Sequence, residues 1–225
     1  MRRPQVLLFD SNESMLDLSG MKPQVTAALA GREELMAASF STMLMYSLVD
    51  TVTSNYHDFG TIGAACMRMV AQANGIELDE AKARKAMAGM KTIPAHPDVP
   101  PGLKKMKEAG FRMYTFTNSA APVVESQVKN AGIDQYFDGR LTIEGLNVYK
   151  PHTRTYHWAA HEVGVPIGDC MLIAAHGWDV TGATLAGMRA AFLERPGQTL
   201  YPLGPDIEIC GRDMVAVADQ LIAMD

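Results

Sequence analysis

A carboxylate stands at the end of a short apolar run near the start of the chain. Val6-Leu7-Leu8-Phe9 is followed by Asp10 and then by the polar stretch 11–14. A buried strand that delivers a reactive group to its carboxyl edge is typical of open α/β sheets. A second carboxylate two residues on could donate a proton and help to hold a magnesium ion for phosphate chemistry, but Asn12 stands there. The pattern therefore favours Asp10 as a reactive group directed at something other than phosphate.

Three further polar clusters follow predicted strands or open a helix. They are Thr117-Asn118, Lys150, and the stretch from His176 to Asp179. A single polar residue at such a place most often caps a helix or satisfies a loop. Because the carboxyl ends of parallel strands meet at one edge of a sheet, four such clusters indicate one composite site.

The elements that position these clusters alternate along most of the chain. Apolar runs predict strands at 6–9, 111–116, within 137–143, at 170–174 and at 189–193, with helices over 102–108, 123–131, 153–163 and 181–188. Residues 22–92 contain no clear β-run and predict helices instead. One helix face there carries Met36, Phe40, Met43, Leu44 and Ser47, and further helices cover 59–74 and 78–90.

This order predicts an α/β protein with a Rossmann-like parallel sheet core and a small all-helical cap inserted after the first strand. We assign residues 1–14 and 95–225 to the core and residues 15–94 to the cap.

Composition excludes several classes of partner. The 225-residue chain is 48% hydrophobic and carries a formal charge of −5, so no nucleic-acid partner is expected. No stretch approaches the roughly 18 apolar residues of a membrane span, and the apolar run before Asp10 is too short for a signal peptide. The three cysteines share no metal-ligand spacing, and their odd number argues against a disulfide framework. We therefore expect a reduced, cytoplasmic protein without a membrane partner.

Taken together, the motifs resemble those of the haloacid dehalogenase superfamily in order and spacing, and the whole chain resembles its type II L-2-haloacid dehalogenases. The resemblance rests on Phe9-Asp10, 12–18, 95–99, 117–119, Val148-Tyr149-Lys150-Pro151 and 175–183, with its Trp178-Asp179 pair. It implies the predicted fold and a hydrolase that displaces a group from C2 of a small 2-substituted carboxylate. It also implies no metal and no cofactor, with water as the second substrate and a homodimer as the assembly.

The roles implied by the resemblance are physically coherent. Asp10 would attack C2 with inversion, expel halide and form an ester that water hydrolyses. Lys150 would keep Asp10 ionised and offset the charge of two approaching carboxylates, and Asp179 would hold Lys150. The substrate carboxylate would be bound by Thr117 and the amides of Ser11 and Asn12, and Asn118 would orient Asp10 or the substrate. The further substrate-binding candidates are Ser14, with a hydroxyl near Asp10, Trp178, which packs at the pocket edge, and Tyr156, whose hydroxyl has either an active-site or a structural role.

Three departures from the best-known members of the family concern the cap and the base. Phe40 occupies the place of an arginine that meets the departing halide, and we expect it to wall the pocket with Met36 and Met43. His176 replaces an asparagine, and Glu13 replaces a small residue. These changes resemble a branch in which a His–Glu pair activates water, with Glu13 orienting His176 as the general base. The other histidines are expected to have surface or loop roles: His57, His96, His152, His157 and His161.

Three alternatives stay open. The same nucleophile could open a strained ring such as azetidine-2-carboxylate at C2, with nitrogen as the leaving group, and the absence of the arginine favours this. A metal-dependent phosphatase would need an acid at position 12, where Asn12 cannot protonate a leaving group. A non-enzymatic binding module is disfavoured because Asp10, Lys150 and Asp179 are all present.

Overall fold

One parallel sheet forms the centre of the molecule, of which the computed structural model describes residues 2–224. Its strands lie in the order β3-β2-β1-β4-β5-β6. They are β1 (Val6–Phe9), β2 (Arg112–Thr117), β3 (Gly139–Thr142), β4 (Cys170–Ala174), β5 (Arg189–Leu193) and β6 (Ile209–Gly211). The α/β class and the Rossmann-like parallel sheet are therefore confirmed. Both β1 and β4 are buried along their whole length, which explains their unbroken apolar sequences.

The register of the central strands brings the predicted clusters to one edge. Phe9 pairs with Thr115 of β2 on one side and with Ile173 of β4 on the other. Asp10, Thr117 and Ala175 therefore lie close to the same level, at the carboxyl ends of three neighbouring strands. Parallel sheets place their reactive residues at this edge.

Helices fill the chain between β1 and β2. They are α1 (Lys22–Ala28), α2 (Leu35–Thr53), α3 (Phe59–Ala73), α4 (Glu80–Ala88) and α5 (Val99–Glu108). The chain leaves and returns side by side, since Leu16 pairs with Ala95 and the Asp17 N–H donates to the Pro94 carbonyl at 2.8 Å. The division at residues 14/15 and 94/95 stays a prediction.

Four more helices follow, namely α6 (Ala121–Asn130), α7 (Thr153–Glu162), α8 (Gly177–Leu185) and α9 (Met214–Ile222). Gly182 lets α8 approach the loop after β3 and α7 closely. A Cβ at this position would lie 2.4 Å from Pro151 Cβ and 2.8 Å from the Tyr156 hydroxyl. The close approach brings Asp179 of α8 within reach of Lys150.

Helix α2 departs from two sequence expectations. Its buried residues are Leu35, Ser39, Met43 and Ser47, so the buried stripe lies beside the predicted face, and Met36, Phe40 and Leu44 are only half-buried. It is also long and apolar enough to cross a membrane by length and composition alone, so the statement that no stretch approaches a span is wrong. Core helices of soluble proteins pass the same test.

The Thr51 hydroxyl accepts a hydrogen bond from the Tyr149 N–H at 3.0 Å, which ties α2 to the loop that carries Lys150.

Candidate active site

Asp10 lies buried at the carboxyl end of the central strand, and both of its oxygens are engaged. Oδ1 accepts a hydrogen bond from Lys150 Nζ at 3.0 Å, and Oδ2 accepts one from Ser14 Oγ at 2.7 Å. His176 Nδ1 lies 3.1 Å from the same Oδ2. Burial alone would raise the pKa of Asp10, but the charge of Lys150 and the contacts with His176 and Ser14 outweigh it and hold the pKa well below its usual range. Asp10 is therefore an ionised carboxylate at neutral pH.

Lys150 is a fully buried cation whose three protons are all used. Its Nζ donates to Asp10 Oδ1 at 3.0 Å, to Asp179 Oδ2 at 2.6 Å and to the Phe116 carbonyl at 2.9 Å. Burial would lower the pKa of Lys150, but the two neighbouring carboxylates outweigh it and raise the pKa above its usual value. Lys150 thus serves as a fixed positive charge and has no lone pair with which to act as a base.

The second carboxylate of this network is held by a tyrosine. Tyr156 Oη donates to Asp179 Oδ1 at 2.6 Å, and both side chains are fully buried. Burial, the largest effect, raises the pKa of Asp179, while the charge of Lys150 opposes this rise. Tyr156 does not line the cavity at Asp10. Its hydroxyl is committed to Asp179 beneath the site, which favours the structural role of Tyr156 over the substrate-binding role, and the substrate-binding role stays a prediction.

His176 and Glu13 form the predicted pair. His176 Nε2 lies 2.8 Å from Glu13 Oε2, while Nδ1 faces Asp10. The Trp178 ring stacks on the imidazole with 5.1 Å between centroids. Burial would lower the pKa of His176, but the hydrogen bonds and charges of Asp10 and Glu13 outweigh it and raise the pKa to about 10. In the free protein at neutral pH the ring therefore carries two protons.

The turn that presents Glu13 is clamped from outside the cavity. Glu13 has a left-handed backbone, with φ 58°, which costs a residue with a side chain on the order of 1 kcal/mol. Its carbonyl accepts from His96 Nε2 at 3.1 Å. The next carbonyl, of Ser14, accepts two hydrogen bonds from Arg195 at 3.1 and 2.9 Å, and Arg195 is paired with Asp98 at 2.8 Å. The 95–99 segment and Arg195 thus fix the direction of the Glu13 side chain.

A cavity of about 230 Å³ opens above Asp10 between the sheet edge and the helical insertion. Its polar side carries Asp10, Asn12, Glu13, Thr117, Asn118 and His176. Its apolar side includes Phe40, Met43, Leu44, Phe59 and Trp178. Phe40 and Trp178 lie where the sequence predicted them, but Met36 does not line this cavity. No lysine or arginine among residues 2–224 lines it, so the wall opposite Asp10 carries no positive charge.

Some of the remaining predicted substrate-binding residues have hydrogen-bond donors without a partner, and others are already hydrogen-bonded within the protein. The N–H groups of Ser11 and Asn12 donate to no protein acceptor in the described chain, and Thr117 Oγ1 accepts from the Ser119 N–H at 3.1 Å, which leaves its own proton free. By contrast, the Ser14 hydroxyl is occupied by Asp10 and by the Ala175 N–H (2.9 Å).

The side-chain amides of Asn12 and Asn118 are also hydrogen-bonded to other parts of the site. Asn12 Nδ2 donates to Ser119 Oγ at 3.2 Å, and its Oδ1 accepts from Gln127 at 3.0 Å. Asn118 Oδ1 accepts from the Lys150 N–H at 3.0 Å. These bonds give Asn12 and Asn118 a positioning role, although both residues line the cavity.

Four lining residues were absent from the sequence-based set: Ser41, Leu44, Phe59 and Gln198. Leu44 could have been chosen, since it follows Phe40 by one helical turn. Gln198 carried no signal, because it belongs to a loop after β5 that returns to the site only in the folded chain. Across residues 2–224 no group of three or more His, Cys, Asp or Glu side chains is arranged to hold a metal ion.

The family model described as haloacid dehalogenase-like hydrolase matches residues 6–187. An (S)-2-haloacid dehalogenase of Pseudomonas sp. (strain YL) is 25% identical over 208 residues, covering 90% of this chain and 89% of that protein. The (S)-2-haloacid dehalogenase H-109 of Pseudomonas putida is 23% identical over 96% of this chain and 97% of its own length.

Among solved structures, the fold is similar to the L-2-haloacid dehalogenase of Xanthobacter autotrophicus with chloropropionic acid covalently bound. The TM-score is 0.92 at 18% identity, covering 99% of this chain and 100% of the other. At this identity the likeness establishes a shared fold over the whole chain.

Proposed function

Since this chain belongs to the haloacid dehalogenase-like hydrolase family, we propose that it is a 2-haloacid dehalogenase that acts on small 2-halocarboxylates through an ester on Asp10. One observation carries the proposal. Asp10 is an ionised carboxylate beneath a small cavity, while Asn12, at the position where a phosphatase needs an acid, has its side chain bound to Ser119 and Gln127. The site therefore supplies a nucleophile without a proton donor for a phosphate ester.

The first step forms a bond from an Asp10 oxygen to C2 as the carbon–halogen bond breaks and halide leaves with the bonding electrons. Lys150 holds Asp10 by a 3.0 Å hydrogen bond, which fixes the direction of attack. The unpaired N–H groups of Ser11 and Asn12 are suited to bind the substrate carboxylate, together with the free proton of Thr117. This arrangement would place C2 over the nucleophile.

In the second step water attacks Cγ of Asp10, and the bond between Cγ and the ester oxygen, which came from Asp10 and is now bound to C2, breaks. The product is a 2-hydroxycarboxylate, and Asp10 regains a carboxylate with one oxygen from water. His176 is next to Asp10 and takes the proton from water, while Glu13 orients the ring from its other side. General-base assistance of this kind typically contributes on the order of a hundred- to ten-thousand-fold.

A ring-opening reaction is the second candidate. The wall opposite Asp10 is apolar and includes Phe40, and Glu13, whose side chain is 36% exposed, borders the cavity. A carboxylate there could pair with the ammonium of a small cyclic amino acid such as azetidine-2-carboxylate. Asp10 would then open the ring at C2, and the nitrogen would leave as an amine.

The same proposal includes a homodimer that works in the cytoplasm. Met45, Val49 and Val52 recur along one side of α2 and are 53, 42 and 84% exposed. Leu48 on α2 and Met69 on α3 are also exposed. An exposed apolar side of a helix of this kind suits a second copy of the chain. Sedimentation of the wild type and of Val52→Glu would test the assembly: a dimer that Val52→Glu dissociates supports it, and a wild-type monomer refutes it.

The enzymatic proposal is tested with L- and D-2-halopropionate, haloacetates and azetidine-2-carboxylate, scored for free halide and for ring-opened product. We expect halide release that Asp10→Asn abolishes and that Asp134→Asn, at the far edge of the sheet, leaves unchanged. In His176→Ala the peptide containing Asp10 should gain the mass of the substrate less its halide. Full activity of Asp10→Asn would refute the mechanism. Turnover of the cyclic amino acid alone would favour the second candidate.

A further inference from the structure

The imidazole of His176 faces two carboxylates at once. Nδ1 lies 3.1 Å from Asp10 Oδ2, and Nε2 lies 2.8 Å from Glu13 Oε2. An ionised carboxylate can only accept hydrogen bonds, so each ring nitrogen needs a proton to bind its partner. A neutral imidazole has a single N–H and would leave one contact as a repulsion between lone pairs. The geometry thus calls for an imidazolium as long as Asp10 and Glu13 are both ionised.

The other charged groups around the ring do not remove the need for a doubly protonated His176. Lys150 binds the opposite oxygen of Asp10, and Asp179 is engaged by Lys150 and Tyr156. Behind the Glu13 turn, His96 binds the Glu13 carbonyl and Arg195 the Ser14 carbonyl. Trp178 covers one face of the ring with an uncharged indole. The raised pKa of His176, about 10, follows from Asp10 and Glu13 outweighing burial.

An imidazolium has no lone pair and cannot take a proton from water. The proposed function, on which this inference rests, needs a base only after Asp10 has become an ester. At that stage one of the two facing carboxylates has lost its charge. We propose that the Asp10 carboxylate keeps His176 doubly protonated and that esterification of Asp10 releases one of these protons, so that the covalent intermediate creates its own general base.

Every proton is accounted for in the two steps of the reaction. During ester formation the carbon–halogen bond breaks, halide leaves with the electron pair, and the Nδ1 proton passes to water in the cavity. During hydrolysis one proton of the attacking water moves to Nδ1 and the other ends on the alcohol oxygen of the product. The carboxylate and the imidazolium are thereby restored together. The one net proton of the reaction therefore leaves with the halide, before hydrolysis.

The resting state also has a protective consequence. A neutral imidazole next to a bound 2-halocarboxylate would be a second nucleophile able to attack C2 and inactivate the enzyme. A doubly protonated ring cannot do so. The Asp10 carboxylate thus protects His176 from alkylation during the first step and releases it for the second.

The test is a pH titration of ¹⁵N-histidine signals by NMR in the free enzyme. Wild type is compared with Asp10→Asn, which keeps the shape of the side chain but removes its charge as the ester does. His176→Gln identifies the signal, and His57, paired with Asp50 on the helical insertion, provides an internal control. We expect His176 to be an imidazolium at pH 8 in wild type and to titrate at least about two pH units lower in Asp10→Asn, a hundredfold change in proton affinity.

If circular dichroism shows that Asp10→Asn does not fold, Asp10→Ser carries the same test, because it also removes the charge that faces Nδ1. A His176 that is neutral at pH 7 in wild type, or that titrates at the same pH in wild type and variant, overturns the inference. Because the titration uses no substrate, it is independent of the proposed function. Halide release by the same wild-type sample tests the proposed function separately.

Discussion

Removing the hydroxyl of Tyr156 separates a supporting role from a substrate-binding role. Tyr156 Oη donates to Asp179 Oδ1 at 2.6 Å, and Asp179 in turn accepts from Lys150. Tyr156→Phe leaves the ring packing in place but deprives a fully buried carboxylate oxygen of its donor. Hydrogen bonds to charged groups contribute about 1.5–3 kcal/mol. We therefore expect the free energy of unfolding to fall by about 2 kcal/mol, which corresponds to about 4–8 °C in Tm for a chain of this size.

The assay combines thermal unfolding, followed by circular dichroism, with steady-state kinetics on 2-chloropropionate. KM should stay within about twofold of wild type, since the hydroxyl lies outside the cavity. Tyr114→Phe is the matched control, because its hydroxyl accepts only a 3.3 Å bond from Arg112 at the surface. It should change stability by less than about 0.5 kcal/mol. An unchanged Tm together with a severalfold higher KM for Tyr156→Phe would refute this reasoning and restore the substrate-binding role.

Three other results are expected. Ser14→Ala removes the 2.7 Å hydrogen bond that orients Asp10 for attack, and because we expect lost orientation to outweigh the gain from a less stabilised carboxylate, kcat for halide release should fall about tenfold with little change in KM, and Ser14→Thr should recover most of it. Arg195→Met frees the Ser14 carbonyl, so hydrolysis of the ester should slow more than its formation, with partial recovery in Arg195→Lys; equal slowing of both steps would contradict a clamp on Glu13. The pKa of His176 is raised from 6.5 to about 10 by folding, so its contribution to stability is fully present below about pH 6.5 and is lost as pH rises toward 10. Urea unfolding should therefore show the stability difference between wild type and His176→Gln shrinking over this range, by on the order of 3–5 kcal/mol, and a constant difference would contradict it.

The sequence predicted most of the sheet because buried parallel strands leave unbroken apolar runs. The strands at 6–9 and 170–174 coincide with β1 and β4, which are buried on both faces. Strand β6, only three residues long at Ile209–Gly211, is too short to leave such a run and was missed. The predicted start of this helix, Gly102, is three residues late, because Pro100 and Pro101 belong to α5, which begins at Val99. They lie in its first turn, where the missing N–H groups would have no helical partner.

The site was predictable where chemistry determines residue type and unpredictable where only tertiary contact does. Asp10, Lys150 and Asp179 come together because each follows a strand or opens a helix at the same sheet edge. Nothing in the spacing showed that the Tyr156 hydroxyl is buried on Asp179, since a helix position six residues beyond Lys150 fits either direction. His96 was assigned a loop role, and only the fold reveals that it holds the Glu13 carbonyl.

The distribution of charge in the site determines whether attack by Asp10 on C2 or departure of the leaving group is the more difficult half of the displacement. Asp10 is held by three fixed donors, Lys150, Ser14 and His176, in place of mobile water, so little reorganisation is needed as its charge moves to the substrate. The same donors stabilise the charge that must leave Asp10, and no lysine or arginine among the described lining residues receives that charge at the opposite wall. Departure of the leaving group is therefore the costlier half of the step. The ability of the leaving group to bear charge, or to leave already protonated, is then the physical variable that separates halide from ring nitrogen at this site.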